Sequence, residues 1–245
     1  ELTRRVAGKL PEGWDAELPT FAADPKGMAT RAASGQVLNA LASIIPTLIG
    51  GSADLSGSNL TVVKGAPAFS PASRGGRNFY FGIREHAMAA ICNGLTLSGL
   101  RAYGAGFLIF SDYARGGIRL SSIMELPVTH IFTHDSIYVG EDGPTHQPVE
   151  HLPALRTIPN LMVMRPADTI ETAECWQIAL ESQKTPSVIA LTRQNLPQLR
   201  LGFALLFDQP TDDGFDLGHG ALPEGVRVTD ALHRDMRWVA RAMLE

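Results

Sequence analysis

The chain has 245 residues, 44% of them hydrophobic and 19% charged, with a formal net charge of -4. This is the composition of a globular protein, with a length for one good domain and an appendage or for two small domains; it excludes a disordered chain. No basic stripe supports a nucleic-acid partner, no apolar run reaches the ~18 residues of a membrane span, and Cys92 and Cys175 are too few for a disulfide framework or a Cys-rich zinc site.

Residues 1–27 read as a leading linker, interrupted by Pro11, Gly13, Pro19, Pro25 and Gly27. The first residues lack the basic start and apolar core of a secretory signal. The expected location is therefore the cytoplasm, or a plastid where a transit peptide has been removed. Met28 to Ile45 reads as a helix, because Ala29, Ala32, Ala33, Val37, Leu41, Ile44 and Ile45 recur at three- and four-residue spacing. Pro46 ends it.

Short apolar runs then alternate with helical stretches. The expected strands are Leu48–Gly50, Phe79–Phe81, a glycine-diluted Arg101–Phe107, Val128–Thr133, Leu161–Met164 and Val188–Leu191. The expected helices are Glu85–Leu97, Tyr113–Met124 and Thr169–Ser182. The last starts with a capping box, in which the Asp168 and Glu171 side chains each satisfy a free N–H at the other's end. Such alternation predicts an α/β fold of three layers, a mainly parallel sheet with helices on both faces, within residues 28–200. Ligands then bind beyond the carboxyl ends of the strands, in loops 51–60, 82–86, 107–113, 134–148 and 193–197. Residues 201–245 change character. A loop rich in Asp, Gly and Pro leads to a helix over about 230–244, too short a piece for a normal core of its own.

Four loops concentrate chemistry. The run THDSIYVGEDGPTHQP at 133–148 places His134, Asp135, Glu141, Asp142 and His146 after a strong strand. Its imidazoles can donate to phosphate or hydroxyl and its carboxylates accept from hydroxyl. A solvated turn is the bland alternative. In GIREHAM at 82–88, Glu85 opens a helix, where a negative charge is favoured; taken alone it is an ordinary first-turn carboxylate paired with Arg84. Phe107, Phe110 and Tyr113 lie three apart, either as core packing along one face of a helical turn or as a box for a flat heteroaromatic ring. The Gly/Ser-rich loop after residue 50 could hold phosphate on backbone N–H groups. Arg31 and Arg193 are either surface arginines or oxyanion clamps.

Together and in this order, GGSADL at 50–55, GIREHAM at 82–88, the phrase at 133–148 and LTRQNLP at 191–197 resemble the transketolase family. Its members depend on thiamine diphosphate, and residues 10–200 resemble its pyrimidine-binding middle domain. The GEDGPTHQP run at 140–148 is the most specific part. The resemblance implies the thiamine-diphosphate pyrimidine-binding fold. It implies that Glu85 is the catalytic glutamate, hydrogen-bonded to a pyrimidine nitrogen, and that Phe107, Phe110 and Tyr113 surround the pyrimidine with Asp54 nearby. Arg31, Ser58, His134 and Arg193 match the clamp on the substrate phosphate. Asp142 matches the residue that senses the C2 hydroxyl, and His146 a histidine near the reacting hydroxyls.

The implied reaction moves a two-carbon ketol unit from a ketose phosphate to an aldose phosphate, with the cofactor as electron sink. The family belongs to the pentose phosphate pathway and the Calvin cycle. Its diphosphate site, signed by Gly-Asp-Gly and a divalent metal such as Mg²⁺ or Ca²⁺, has no counterpart in the 245 residues. This chain is thus expected to lack a metal site, to supply half of an active site, and to work as a homodimer or with a partner carrying the diphosphate-binding domain. The tail at 201–245 is expected to be an atypical end rather than a full C-terminal domain, of a fragment, a frame-shifted product or a split gene. The competing expectations are a non-catalytic interaction module that dimerises with full-length enzyme, and a relative of dihydroxyacetone synthase.

Overall fold

The computed structural model describes residues 3, 4, 8–22, 24 and 26–198. The tail at 201–245 and its expected helix lie outside the described residues. The sheet is built from strands β2 (Leu48–Ser52), β3 (Asn78–Tyr80), β4 (Arg101–Phe107), β5 (Thr129–Thr133), β6 (Met162–Met164) and β7 (Ser187–Leu191). Their order is β3-β2-β4-β5-β7-β6, and every pairing is parallel. A separate pair joins β1 (Met28–Ala29) to β8 (Asn195–Leu196) antiparallel.

Among the described residues, six helices accompany the strands: α1 (Thr30–Ile44), α2 (Ser56–Asn59), α3 (Glu85–Leu97), α4 (Ser111–Ile123), α5 (His151–Arg156) and α6 (Thr169–Glu181). Alternation along each strand sends side chains to both faces. Ile131, Ile189 and Leu191 pack with Val37, Leu38 and Leu41 of α1 and Trp176 of α6. Phe132, Val188 and Ala190 point the other way, against Ala89 of α3 and Ala114 and Ile118 of α4. Both faces are therefore buried, as a parallel sheet requires, and the three-layer α/β expectation is met.

Two glycines permit close approaches. A Cβ on Gly51 would sit 1.8 Å from the Phe79 carbonyl oxygen, and one on Gly117 would sit 2.5 Å from the Ala89 Cβ. The first lets β3 lie against β2; the second lets α4 lie against α3.

Several boundaries differ from the sequence reading. Helix α1 begins at Thr30 because Met28 and Ala29 are held in β1 by Leu196 and Asn195. The loop at 193–197 accordingly contains a strand. Gly51 and Ser52 continue β2, and α2 occupies half of the rest of the loop at 51–60. The edge strand β3 starts at Asn78, one residue early, and α4 starts at Ser111 after a 3-10 turn at Leu108–Phe110. The capping box is only half as expected. Asp168 accepts from the Glu171 N–H at 2.9 Å, but Glu171 accepts from the N–H of Ala167 at 2.7 Å. Both cysteines are free and buried, and burial pushes Cys92 up to about 12 and Cys175 upward as well, so neither is a thiolate near neutral pH. No helix among the described residues is long and apolar enough to cross a membrane.

Candidate functional site

Parallel strands place their carboxyl ends on one edge, and the cavity lies there. Its volume is about 400 Å³, and it is lined by Arg31, Ser58, Phe107, His134, Asp142, His146 and Arg193. All six residues that the sequence assigned to substrate thus meet around one space, from segments up to 162 positions apart.

The arginines are brought together by a pair the sequence reading missed. Thr30 donates its backbone N–H to Thr192 Oγ1 at 3.0 Å, and Thr192 donates its own to Thr30 Oγ1 at 2.8 Å. Each threonine is buried, and each directly precedes an arginine. Arg31 donates to the Ser58 carbonyl at 2.8 Å. Burial lowers the pKa of Arg31, and the neighbouring positive charge of Arg193 lowers it further. Among the described residues neither guanidinium forms an ion pair, so two like charges share a polar cavity whose only carboxylate is the exposed Asp142.

His134 follows β5 with φ of 58°, in the left-handed region that non-glycine residues rarely adopt. It is 3% exposed, and its ring stacks on Phe107 with centroids 3.7 Å apart. Burial is the main reason that its pKa falls from 6.5 to about 4; Arg31 pushes the same way, Asp142 opposes, and Arg193 and His146 add to the fall. His134 is therefore neutral at physiological pH. His146 lies edge-on to Phe107 and Phe110 at 6.0 and 5.4 Å, and its Nδ1 is 2.9 Å from Thr145 Oγ1.

The aromatic trio does not share one face of a helical turn. Phe107 ends β4, Phe110 ends the 3-10 turn and Tyr113 lies in the first turn of α4. The rings nonetheless form a chain, Phe107 to Phe110 at 5.9 Å and Phe110 to Tyr113 at 6.1 Å, with Tyr113 66% exposed. Glu85, the first residue of α3, is 7% exposed, and its carboxyl has no hydrogen bond or ion pair among the described residues. Arg84 is not its partner, because that guanidinium donates to the Phe81 carbonyl at 3.1 Å. Asp54 is exposed beyond β2 with φ of 62°. Glu85, Asp54, Phe110 and Tyr113 do not line the 400 Å³ cavity.

Other charged residues of the 133–148 phrase have different surroundings. Asp135 turns inward, where its Oδ2 accepts from Arg165 Nε at 2.6 Å, so it braces the loop. Glu141 is exposed. Outside the phrase, His151 bridges two carboxylates, with Nε2 3.1 Å from Asp112 and Nδ1 3.9 Å from Glu150. Donor atoms of these three residues lie within 4.8 Å of one another, an arrangement with no signal in the sequence.

A parallel sheet of this kind, with two arginines and two histidines around a cavity beyond its strand ends, defines a ligand-binding α/β domain. Comparison with known proteins narrows this. Residues 26–198 match the family model described as the transketolase pyrimidine-binding domain. The chain is 53% identical to the transketolase of Geobacillus stearothermophilus over 209 residues, which takes in 85% of this chain and 31% of that protein. A crystal structure of Pichia stipitis transketolase in complex with sedoheptulose 7-phosphate superposes with a TM-score of 0.78 at 51% identity, covering 81% of this chain and 30% of that one. A structure described as a split-gene transketolase, an inactive β4 tetramer, matches with a TM-score of 0.58 at 30% identity, over 73% of this chain and 55% of that one. The chain belongs to the transketolase family and contains its pyrimidine-binding domain. It spans about a third of the length of the curated relatives it matches.

Proposed function

We infer that this chain supplies the pyrimidine-binding half of a transketolase active site, within residues 28–200. The assembled enzyme moves a two-carbon ketol unit from a ketose phosphate to an aldose phosphate. The observation that supports this most is the cavity at the strand ends. It offers two guanidiniums, a neutral imidazole and Ser58 for a phosphate, and the Asp142 carboxylate and His146 for sugar hydroxyls. Arg31, Arg193, Ser58 and His134 hold the phosphate. Asp142 accepts from the C2 hydroxyl, and His146 passes protons to and from the reacting hydroxyls.

Thiamine diphosphate, when bound, supplies the electron sink for breaking and making the carbon–carbon bond. The residues present fit its pyrimidine end. A buried carboxyl with no protein partner suits a hydrogen bond to a ring nitrogen, and the Phe107–Phe110–Tyr113 chain offers flat apolar surface. Glu85 would hold that nitrogen, the aromatic residues would pack the ring, and Asp54 would lie nearby. The diphosphate and its Mg²⁺ or Ca²⁺ ion belong to a further domain, since Gly-Asp-Gly does not occur in the sequence. That domain is not contained in residues 1–245 and meets this one in the assembled enzyme. The split-gene structure described as an inactive tetramer supports a chain that is inactive alone. The enzyme acts in the cytoplasm or in a plastid; two of the relatives are described as chloroplastic.

The test is a ketol-transfer assay on the purified chain with thiamine diphosphate, Mg²⁺, a ketose phosphate and an aldose phosphate, with and without a separately expressed diphosphate-binding domain. Activity only in the mixture, with phosphorylated acceptors preferred over their unphosphorylated sugars, is expected. No activity in either arm, from folded proteins that associate, would favour the interaction module.

A further inference from the structure

The His134 ring is fixed by more than its stack on Phe107. Behind it runs a buried chain of polar groups along the ends of β2, β4 and β5. Ser52 Oγ donates to Asn59 Oδ1 at 2.6 Å. Asn59 Nδ2 donates to the Gly106 carbonyl at 3.0 Å and to Thr133 Oγ1 at 2.7 Å. Thr133 Oγ1 lies 2.8 Å from His134 Nδ1. Ser52, Asn59 and Thr133 are each at most 1% exposed.

The proton order in this chain follows from its one unambiguous member. A backbone carbonyl only accepts, so Gly106 obliges Asn59 to present its NH₂ there and its oxygen toward Ser52. The second N–H of the same NH₂ is then committed to Thr133 Oγ1. The Thr133 hydroxyl proton has one acceptor among the described residues, His134 Nδ1. That nitrogen must therefore be bare, and the single proton of the neutral ring must be on Nε2. Nε2 has no protein partner among the described residues, and its ring lines the cavity beside Arg31 and Arg193.

We propose that Asn59 and Thr133 are positioning residues that fix His134 as a neutral Nε2–H donor aimed at the anionic group of the substrate. The Gly106 carbonyl sets the direction of the whole relay. With the opposite tautomer the imidazole would turn a lone pair toward the anion, replacing a donor by a repulsive acceptor. The anion-binding consequence rests on the reading of the cavity given above; the tautomer does not.

The experiment is nitrogen NMR of the His134 ring at neutral pH, combined with titration by inorganic phosphate. The wild-type chain should show a protonated Nε2 and a bare Nδ1. Thr133→Val keeps the shape but removes the hydroxyl; it should yield a mixture of tautomers and weaken phosphate binding about tenfold, the effect of one hydrogen bond to an anion. Thr133→Ser should restore both. A wild-type ring protonated on Nδ1 would overturn the relay whether or not the variant folds. So would a folded Thr133→Val chain with unchanged tautomer and affinity. A wild-type ring protonated on Nε2 in a chain that binds no phosphate would uphold the relay and instead overturn the anion reading of the cavity.

Discussion

Thr30 and Thr192 bond to each other in both directions, backbone N–H to side-chain oxygen, with their hydroxyls 3.1 Å apart. This buried joint between the start of α1 and the end of β7 brings Arg31 and Arg193 to one cavity. Their like charges face one space, a placement that favours an anion there. Arg193→Ala should weaken inorganic phosphate binding by roughly ten- to a hundredfold, the range for a hydrogen bond to a charged group. The ligand-free melting temperature should stay level or rise, because a like-charge contact is relieved. Calorimetric titration and thermal melting check both halves. A melting temperature that drops with phosphate affinity unchanged would make the arginine structural.

The cavity histidine and a core histidine give the fold a predicted acid sensitivity. Burial pulls both His130 and His134 from 6.5 to about 4. Between these values the unfolded chain holds protons that the folded chain does not. Stability is therefore complete above pH 6.5 and falls as the pH drops toward 4. His130 is fully buried, and its Nδ1 has no partner among the described residues. His130→Gln should flatten part of the slope. Unfolding midpoints in urea at half-unit pH steps measure it, and equal slopes in the two proteins would contradict the assignment to His130.

Gly51 joins the functional loop to the sheet, and its role is steric. A methyl group there would meet the Phe79 carbonyl at 1.8 Å. Gly51→Ala should force β3 away from β2 and cost about 1–3 kcal/mol, the usual range for overpacking. The denaturation midpoint reports the loss; an unchanged midpoint would mean that the strand pair gives way freely.

The Asp168 cap is a local element with a local prediction. Its carboxylate accepts from the Glu171 N–H, so Asp168→Ala should cost about 1 kcal/mol of stability without touching the cavity. Equal melting temperatures in the two proteins would contradict it.

These elements also show what one-dimensional reading can reach. GIREHAM, GGSADL and the long phrase at 133–148 are contiguous because each site loop directly follows a strand, so motif and geometry coincide. The helices and sheet were legible because apolar spacing reports burial directly. The Thr30–Thr192 joint was not, since nothing local marks two threonines 162 positions apart as partners. The Ser52–Asn59–Thr133 relay was hidden for the same reason: its members end different strands or sit on α2. Strands β1 and β8 have two residues each, and α5 has six with Pro153 inside it, too short for any periodicity to register. Glu171 reaches Ala167 rather than Asp168, a shift of one residue that only the turn geometry decides.

Glu85 is the residue on which the half-site account turns: buried, at the head of α3, and without a protein partner among the described residues. The most direct measurement compares wild-type chain and Glu85→Ala in a ketol-transfer assay reconstituted with the diphosphate-binding domain, with association of the two chains followed by sedimentation. The account predicts unchanged association and a loss of activity of about 10²–10⁴-fold, the scale of a lost proton-handling group. Equal activity of the two assemblies would contradict it.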